Sequence, residues 1–488
     1  MQIQSFSLKN IGQFQDLSVS LAPTTQFTSN ITVFIGNNGS GKTSLLKSIT
    51  TALTWYVARL KHDKSNGTPI PESVILNSAN SAMFEITVND LDLQQQTKAY
   101  MWRIAKNRTA RKAEFTTHLT ELTQLTDYYK QWLGEDDQSS LPLIAFYSVI
   151  RSVIEIPLRI RGKHQFLQID GYDNALNNAV NFRRFFEWFR GREDVENETI
   201  SELEESLLLE NFDKMLSIEE SMNSLLGELE SDSLDIKKFE SISQNLYKFK
   251  EAITFKDKIE SEQAKIKAKK DIQLEAVRQA IYAFIPEFSN LRVRRKPRLY
   301  MSVDKNDKTL NVNQLSQGEK SLMALVGDIA RRLAMMNPKL DNPLRGKGII
   351  LIDEIDMHLH PQWQRSIIQR LQTTFPNCQF ILTTHSPLVI SDVKDILVYE
   401  LDGQEVKALP SLYGQDANTV LRDYMDTNNR NLKVTEQIIQ AMDAIQNNQL
   451  EQADNLIETL KSELGSNQLD VMRLVAMLKK RTLAKQGK

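Results

Sequence analysis

Hydrophobic and polar residues alternate along the first part of the chain, a pattern typical of strands. Alternation over residues 3–8 and again over 17–21 predicts neighbouring strands of a β-meander. Residues 31–35 form a short apolar run rich in β-branched side chains, which predicts a buried strand. Similar strand-like stretches follow at 82–88, 99–104 and 141–147.

The middle of the chain has a helical pattern instead. Aromatic residues recur at helical spacing over 182–189, and apolar residues recur every three or four positions over 200–229. Polar residues at 231–233 interrupt this pattern, and a second amphipathic arm follows over 239–266. The arms predict either a helical hairpin or short coiled coil, or two ordinary helices folded onto a lobe, because the heptads are irregular.

Strand patterns return in the second half and alternate with helical ones. Strands are predicted at 291–293, 299–303 and 348–352, a helix after Gln317, and further helices after residue 430. The whole pattern predicts an α/β protein in four parts. These parts are a first lobe at 1–160, a helical insertion at 161–290, a second lobe at 291–400 and a helical C-terminal region at 401–488.

Composition and charge narrow the class of protein. With 488 residues the chain can form two or three lobes, and a formal net charge of −2 favours neither nucleic acid nor membrane as a general partner. Cys378 is the sole cysteine, which excludes an internal disulfide and a cysteine-based metal cluster. No signal peptide is visible, and no apolar run approaches the roughly 20 residues that span a bilayer. We therefore expect a cytoplasmic protein without a membrane partner.

The strongest chemical signal is a glycine-rich stretch between the predicted strand at 31–35 and a helical pattern. It fits the phosphate-loop pattern GxxxxGK[ST] and consists of Gly36, Asn37, Asn38, Gly39, Ser40, Gly41, Lys42 and Thr43. Glycines let successive N–H groups converge on an anion, and the helix N-terminus adds partial positive charge. We expect Lys42 to reach the β- and γ-phosphates of ATP and Thr43 to ligate Mg²⁺.

Two later strand ends carry residues suited to hydrolysis of a phosphate. Asp353 and Glu354 follow the predicted strand at 348–352, at the end where ligands bind in open α/β sheets. Asp353 is expected to hold Mg²⁺, and Glu354 is expected to be the general base that orients the attacking water. His385 follows another apolar run, after room for one crossover helix over 363–375. It is expected to reach the γ-phosphate or the water.

A polar turn at the start of a helix predicts a second anion site. It consists of Ser316, Gln317, Gly318 and Glu319, and it combines a hydroxyl group with N–H groups at a positive helix end. His358 and His360 lie beside Asp356 on a loop, where a dimer contact is expected more than a metal site.

Several of these segments together resemble a known family. Residues 315–320, 353–361 and 384–387 look like the ATP-binding-cassette ATPases of the RecF/SMC type, over 1–60 and 291–400. A narrower similarity is to PtuA-type ATPases of Septu anti-phage systems, which also occur with some retrons. It rests on residues 173–176, 182–190, 193–197 and 412–421. The resemblance implies an ABC-type head, with a parallel sheet and an N-terminal antiparallel meander, split by the helical insertion.

The resemblance also implies partners. Ser316 and Gly318, within the signature turn 316–319, would act on ATP bound by a second copy, in a head-to-tail dimer or a higher oligomer. Related systems pair the ATPase with an HNH nuclease, and retron versions add a reverse transcriptase and its RNA–DNA product. The family's Q-loop glutamine has no clear counterpart, and Tyr147 and Arg151 stand near its expected position. Residues 198–270 are extra relative to a compact head.

Three classes of function remain open at this point. The chain is either a defence ATPase that gates a separate nuclease, a RecF/SMC-like ATPase that acts directly on DNA in repair or on chromosomes, or a self-contained nuclease. The third ranks last because 400–488 has no acidic cluster of the kind a nuclease needs. Basic runs at 103–112 and 292–298 allow DNA or RNA binding, although a solvated face explains them as well.

Overall fold

The computed structural model describes most of the chain. The described residues are 1–91, 96–109, 111, 114–136, 138–149, 166–177, 182–229, 250, 254–255, 258–259, 261–263, 265–266, 269–425 and 432–486. They belong to two units, Met1–Ser411 and Leu412–Lys488.

The first unit combines the predicted strands and helices with further elements that the sequence pattern does not predict. Its N-terminal part contains β1 (Gln2–Ile11), β2 (Phe14–Ser20), β3 (Ile31–Gly36), α1 (Lys42–Lys61), β4 (Ser81–Leu91), β5 (Thr97–Asn107), α2 (Thr120–Glu135) and β6 (Leu143–Tyr147). Its remainder contains α3 (Phe182–Leu229), α4 (Ile272–Phe284), β7 (Phe288–Arg294), β8 (Tyr300–Lys305), β9 (Lys308–Asn311), α5 (Gln317–Met336), β10 (Gly348–Ile352), α6 (Pro361–Thr374), β11 (Cys378–Thr383), the short α7 (Pro387–Ile390), β12 (Leu397–Asp402) and β13 (Glu405–Ala408).

A six-stranded sheet with the order β13-β12-β3-β11-β10-β6 positions the chemistry. Its strands are parallel except for β13 at the edge. Every residue of β3, β6, β10 and β11 is buried, as expected for parallel strands that are covered on both faces. The register pairs Ile352 with both Leu382 and Tyr147, so these three strands end at one edge of the sheet.

Two antiparallel sheets accompany the parallel one. The first has the order β2-β1-β4-β5, and the second has the order β7-β8-β9. Helix α1 contacts β4 of the first antiparallel sheet and β3 and β11 of the parallel sheet, so it lies between the two. The predicted α/β class, with a parallel sheet and an N-terminal antiparallel meander, is therefore confirmed.

Helix α3 contains both of the helical patterns predicted between residues 182 and 229. The aromatic stretch at 182–189 and the arm at 200–229 lie on one helix of 48 residues. Good helix formers dominate this stretch, and it contains no proline between the two patterns. Phe185 and Phe189 are buried at its base, whereas Phe212 is 57% exposed. The interruption at 231–233 and most of the second arm lie outside the described residues.

The C-terminal boundary of the first unit also differs from the expected one. The sequence pattern predicts a boundary at residue 400, but β12 and β13 continue the six-stranded sheet beyond that point. The first unit therefore extends to Ser411, because the edge of its sheet is completed only by these strands.

The second unit is helical. It contains α8 (Ala417–Tyr424), α9 (Leu432–Gln446), α10 (Leu450–Leu464) and α11 (Leu469–Gln486). Its core comes from α9, α10 and α11 and includes Ile438, Ala441, Ile445, Ile457, Leu460, Val471 and Leu474. None of the helices in the described part of the chain is both long and apolar enough to cross a bilayer.

Candidate active site

The predicted phosphate loop lies between the end of β3 and the start of α1. Its glycines have positive φ angles of 146° at Gly36, 84° at Gly39 and 90° at Gly41. A Cβ atom at Gly36 would lie 2.4 Å from the carbonyl oxygen of Leu401, and one at Gly41 would lie 2.8 Å from the ring of Phe14. Glycine is therefore needed here both for the backbone turn and for the close approach of β12 and β2.

The Lys42 ammonium group lies inside the curve of this loop. Its Nζ donates to the carbonyl oxygens of Gly36 at 2.8 Å and Asn37 at 2.9 Å. Burial lowers the pKa of Lys42, while the carboxylates of Asp353 and Glu354 oppose that shift. A cation held by neutral carbonyl groups in a curve of N–H groups fits an anion such as a phosphate.

Gln13 supports the loop from outside and was not identified from the sequence. Its side-chain Nε2 donates to the carbonyl oxygens of Ser40 at 2.6 Å and Gly403 at 2.7 Å. It thereby ties the turn between β1 and β2 to the phosphate loop and to the turn after β12. A single glutamine in a turn has no sequence signal that could have indicated this contact.

Asp353 and Thr43 meet beside Lys42, although they are 310 residues apart in the chain. The Thr43 hydroxyl group donates to Asp353 Oδ2 at 2.8 Å. The Asp353 carboxylate is almost fully buried, and its Oδ1 accepts a hydrogen bond from the Thr383 hydroxyl group at 2.6 Å. One carboxylate and one hydroxyl oxygen next to a phosphate loop are the hard donors that Mg²⁺ takes alongside water and phosphate, so these residues fit that ion.

Glu354 follows Asp353 in an unusual backbone conformation. Its φ angle is 46°, in the left-handed region that non-glycine residues rarely adopt. Its N–H group donates to the Thr383 hydroxyl oxygen at 2.8 Å. The half-buried Glu354 is therefore held at the sheet edge where β10 and β11 end.

His385 lies two residues beyond the end of β11 and is half-buried. Its N–H group donates to Asp356 Oδ1 at 3.4 Å, and the Thr384 hydroxyl group donates to the same oxygen at 2.5 Å. The pKa of His385 is lowered mainly by burial, and the nearby positive charge of Lys42 lowers it further. Glu354 and other carboxylates act in the opposite direction but do not outweigh these two causes. Lys42, Asp353, Glu354 and His385 thus act electrostatically on one another in one site.

The second predicted anion site, at the start of α5, forms a capping box. Ser316 Oγ donates to Glu319 Oε2 at 2.7 Å and accepts from the Glu319 N–H group at 3.3 Å. Lys305 donates to Glu319 Oε1 at 2.6 Å, so Glu319 serves the turn itself. A Cβ atom at Gly318 would lie 2.6 Å from the His358 carbonyl oxygen. Among the described residues, no hydrogen bond joins this turn to the phosphate loop.

The residues near the expected Q-loop position have different surroundings. The Tyr147 carbonyl group accepts from the Asp353 N–H group at 2.8 Å, so its backbone supports the site. Its hydroxyl group instead donates to the buried Asp328 at 3.0 Å, in the core under α5. The side chain of Tyr147 is therefore structural, and Arg151 lies outside the described residues.

Several of the remaining charged candidates have structural partners. His360 caps α6 through its side chain, and the described residues contain no cluster of three or more His, Cys, Asp or Glu that could hold a metal ion. In the first basic run, Arg103 pairs with Glu85, and Arg108 donates to backbone carbonyl groups. In the second, Arg295 pairs with Asp194. These partners favour a solvated or structural role over nucleic-acid binding for both basic runs.

Comparison with known proteins identifies the family of this chain. The family described as "AAA ATPase domain" matches residues 1–390, and the chain belongs to this family. The chain is 32% identical to the retron Vc95 probable ATPase of Vibrio cholerae serotype O1 biovar El Tor, over 88% of this chain and 81% of that protein. It is also 32% identical to the retron Ec83 probable ATPase of Escherichia coli, over 88% and 77% of the two chains.

The similarity to PtuA is more local. The Septu protein PtuA of Bacillus mycoides (strain KBAB4) is 43% identical over 84 residues, which are 17% of this chain and 11% of that protein. Among solved structures, an Smc head domain from Pyrococcus furiosus aligns with a TM-score of 0.40 and 15% identity, over 86% of this chain and 99% of that chain.

Proposed function

We propose that this chain binds and hydrolyses ATP. The observation that carries the proposal is the contact between Thr43 and Asp353. The Thr43 hydroxyl group donates to Asp353 Oδ2 at 2.8 Å, although the two residues are 310 positions apart in the sequence. Their meeting brings the phosphate loop to the strand end that carries Glu354. A glycine-rich turn without a phosphate-binding role would not be expected to make this contact.

Each residue has a role that follows from its position. The phosphate loop and the start of α1 bind the phosphates, and Lys42 exchanges its carbonyl partners for phosphate oxygens. Thr43 and Asp353 would hold Mg²⁺, and the ion would neutralise charge on the phosphates. Glu354 accepts a proton from the attacking water. His385, neutral near pH 7, hydrogen-bonds to the γ-phosphate or the water.

A second copy of the chain completes the site. Ser316 and Gln317 are exposed at the positive end of α5, and the recorded hydrogen bonds of the described residues in this turn do not reach the phosphate loop of the same chain. In a head-to-tail dimer, this turn of one copy faces the phosphates bound by the other. Glu319 then keeps Ser316 in place rather than contacting the nucleotide.

The biological setting is an anti-phage defence complex. The similarity to two retron ATPases over most of both chains supports this setting, and the local similarity to PtuA agrees with it. ATP binding and hydrolysis by the dimer would regulate a partner HNH nuclease, with a reverse transcriptase and its RNA–DNA product as further partners in a retron. Co-purification with the products of neighbouring genes tests this setting, and recovery of the chain without any of them would contradict it.

Replacement of Glu354 tests the hydrolytic role directly. Glu354→Gln keeps the size of the side chain and removes the base, so we expect ATP turnover to fall by about 10²–10⁴-fold while ATP binding is retained. Turnover is measured by phosphate release and binding by equilibrium titration. An exposed control, Glu405→Gln on β13, should keep both. Unchanged turnover in Glu354→Gln would remove this residue from the reaction.

A further inference from the structure

The Thr383 hydroxyl group forms hydrogen bonds with both acidic residues of the site, Asp353 and Glu354. Thr383 ends β11 and is fully buried. Its Oγ1 donates to Asp353 Oδ1 at 2.6 Å and accepts from the Glu354 N–H group at 2.8 Å. Its carbonyl oxygen also accepts from the Ile355 N–H group at 2.9 Å. One residue therefore holds three consecutive residues after β10.

We infer that Thr383 is a positioning residue that sets both the metal-binding face of Asp353 and the direction of Glu354. The inference rests on the proposed ATP hydrolysis. Thr383 itself need not touch the nucleotide or the metal, because its hydroxyl group acts through its two partners.

The bond to Asp353 fixes the rotation of the carboxylate. With Oδ1 engaged by Thr383, Oδ2 faces the Thr43 hydroxyl group at 2.8 Å. The two oxygens that fit Mg²⁺ are thereby held together before the ion arrives. Groups that orient metal ligands in this way commonly affect metal affinity and activity by about 10- to 100-fold.

The bond to Glu354 stabilises a conformation that its side chain disfavours. Glu354 has a φ of 46°, and left-handed backbone is uncommon for residues other than glycine, asparagine and aspartate. A hydroxyl group that accepts from this N–H group holds the turn in that state. The same hydroxyl group must donate and accept at once, so neither a purely apolar nor a purely accepting side chain can replace it.

The other threonine in the strands of this sheet has a different role. Thr32 on the adjacent strand β3 is equally buried, and its Oγ1 accepts from the Ala22 N–H group at 2.9 Å, at the opposite end of the strand from the phosphate loop. Thr32→Val is therefore a matched control, since it removes a buried hydroxyl group from the same sheet without touching the site.

The test compares Thr383→Val, Thr383→Ser and Thr32→Val in the full chain. One readout is kcat and KM for ATP. The other is the binding of Mn²⁺ to the ADP-loaded chain, followed by electron paramagnetic resonance. For Thr383→Val we expect kcat to fall and the Kd for Mn²⁺ to rise, each by about 10- to 100-fold. Thr383→Ser keeps the hydroxyl group and should restore both values to within about 3-fold of the original chain.

The results that would contradict the role of Thr383 differ from those that would contradict the proposed function. Unchanged kcat and Mn²⁺ affinity in Thr383→Val would overturn the inference, and so would equal losses in Thr32→Val. If Thr383→Val does not fold, Thr383→Ala removes the same hydroxyl group with less crowding and carries the same expectations. An original chain that fails to turn over ATP would contradict the proposed function, and the Mn²⁺ comparison would then still decide the role of Thr383.

Discussion

His385 shows how the surroundings of a single residue prepare it for one protonation state. Burial and the positive charge of Lys42 both disfavour the imidazolium form, and they outweigh the attraction of Glu354 and Asp356. The pKa of His385 therefore lies below its ordinary value of 6.5. A neutral imidazole at neutral pH can accept a hydrogen bond at one nitrogen and donate one at the other.

The pH dependence of catalysis should reflect this state. Because the neutral form persists to lower pH, we expect the acid limb of kcat/KM that belongs to His385 to have its midpoint below 6.5. Protonation of His385 also favours the unfolded chain, so its contribution to stability becomes unfavourable as the pH falls below 6.5.

Two histidine variants separate this effect from others. The limb should be absent from the pH profile of His385→Gln and present in that of His118→Gln, which changes an exposed residue outside the site. A midpoint above 6.5, or a limb that survives in His385→Gln, would show that another group controls the acid side.

Among the elements, helix α5 is tied to the rest of the first unit by buried charges. Asp328 accepts from Arg331 and Arg332, each at 2.7 Å, and from the Tyr147 hydroxyl group at 3.0 Å. Arg332 also donates to the Gly171 carbonyl group at 2.5 Å. Burial alone would raise the pKa of Asp328, but the two guanidinium groups prevail and lower it to about 2. This cluster fixes the helix that begins with the signature turn.

Loss of the negative charge should destabilise this helix strongly. Asp328→Asn leaves two buried guanidinium groups without a counter-charge, so we expect the free energy of unfolding to fall by about 3–5 kcal/mol. Chemical denaturation measures the change. Asp392→Asn breaks the exposed pair with Arg365 and should cost about 1 kcal/mol or less. Equal effects of the two variants would contradict a structural role for the buried cluster.

The elements also show which features can be read from sequence. Local periodicity predicts the strands, because apolar runs such as 348–352 are buried on both faces of a parallel sheet. The phosphate loop is equally local, since eight consecutive residues make it. The roles of Gln13, Thr383 and the Tyr147 side chain depend on contacts between residues far apart in the chain. The spacing of residues in the sequence does not predict such contacts. The helical spacing over 182–189 and 200–229 likewise predicts helix, and the structure joins the two stretches in α3.

At the scale of the whole molecule, the two predicted anion sites belong to the same unit, but their surroundings differ. The phosphate loop is packed between β2 and β12, whereas the signature turn exposes Ser316 and Gln317. A single copy would leave that positive helix end without a phosphate. A pair of copies related by a two-fold axis uses each turn once and forms two equivalent sites.

Complementation between two defective variants tests this arrangement most directly. Lys42→Ala disables the phosphate loop and Ser316→Arg blocks the signature turn, so each variant alone should hydrolyse almost no ATP. In a mixed dimer, the intact phosphate loop of one copy meets the intact Ser316 of the other. An equal mixture should therefore recover about a quarter of the original activity, since about half of the dimers are mixed and each has one complete site. A mixture that stays inactive, while the original chain hydrolyses ATP as a monomer, would contradict the shared site.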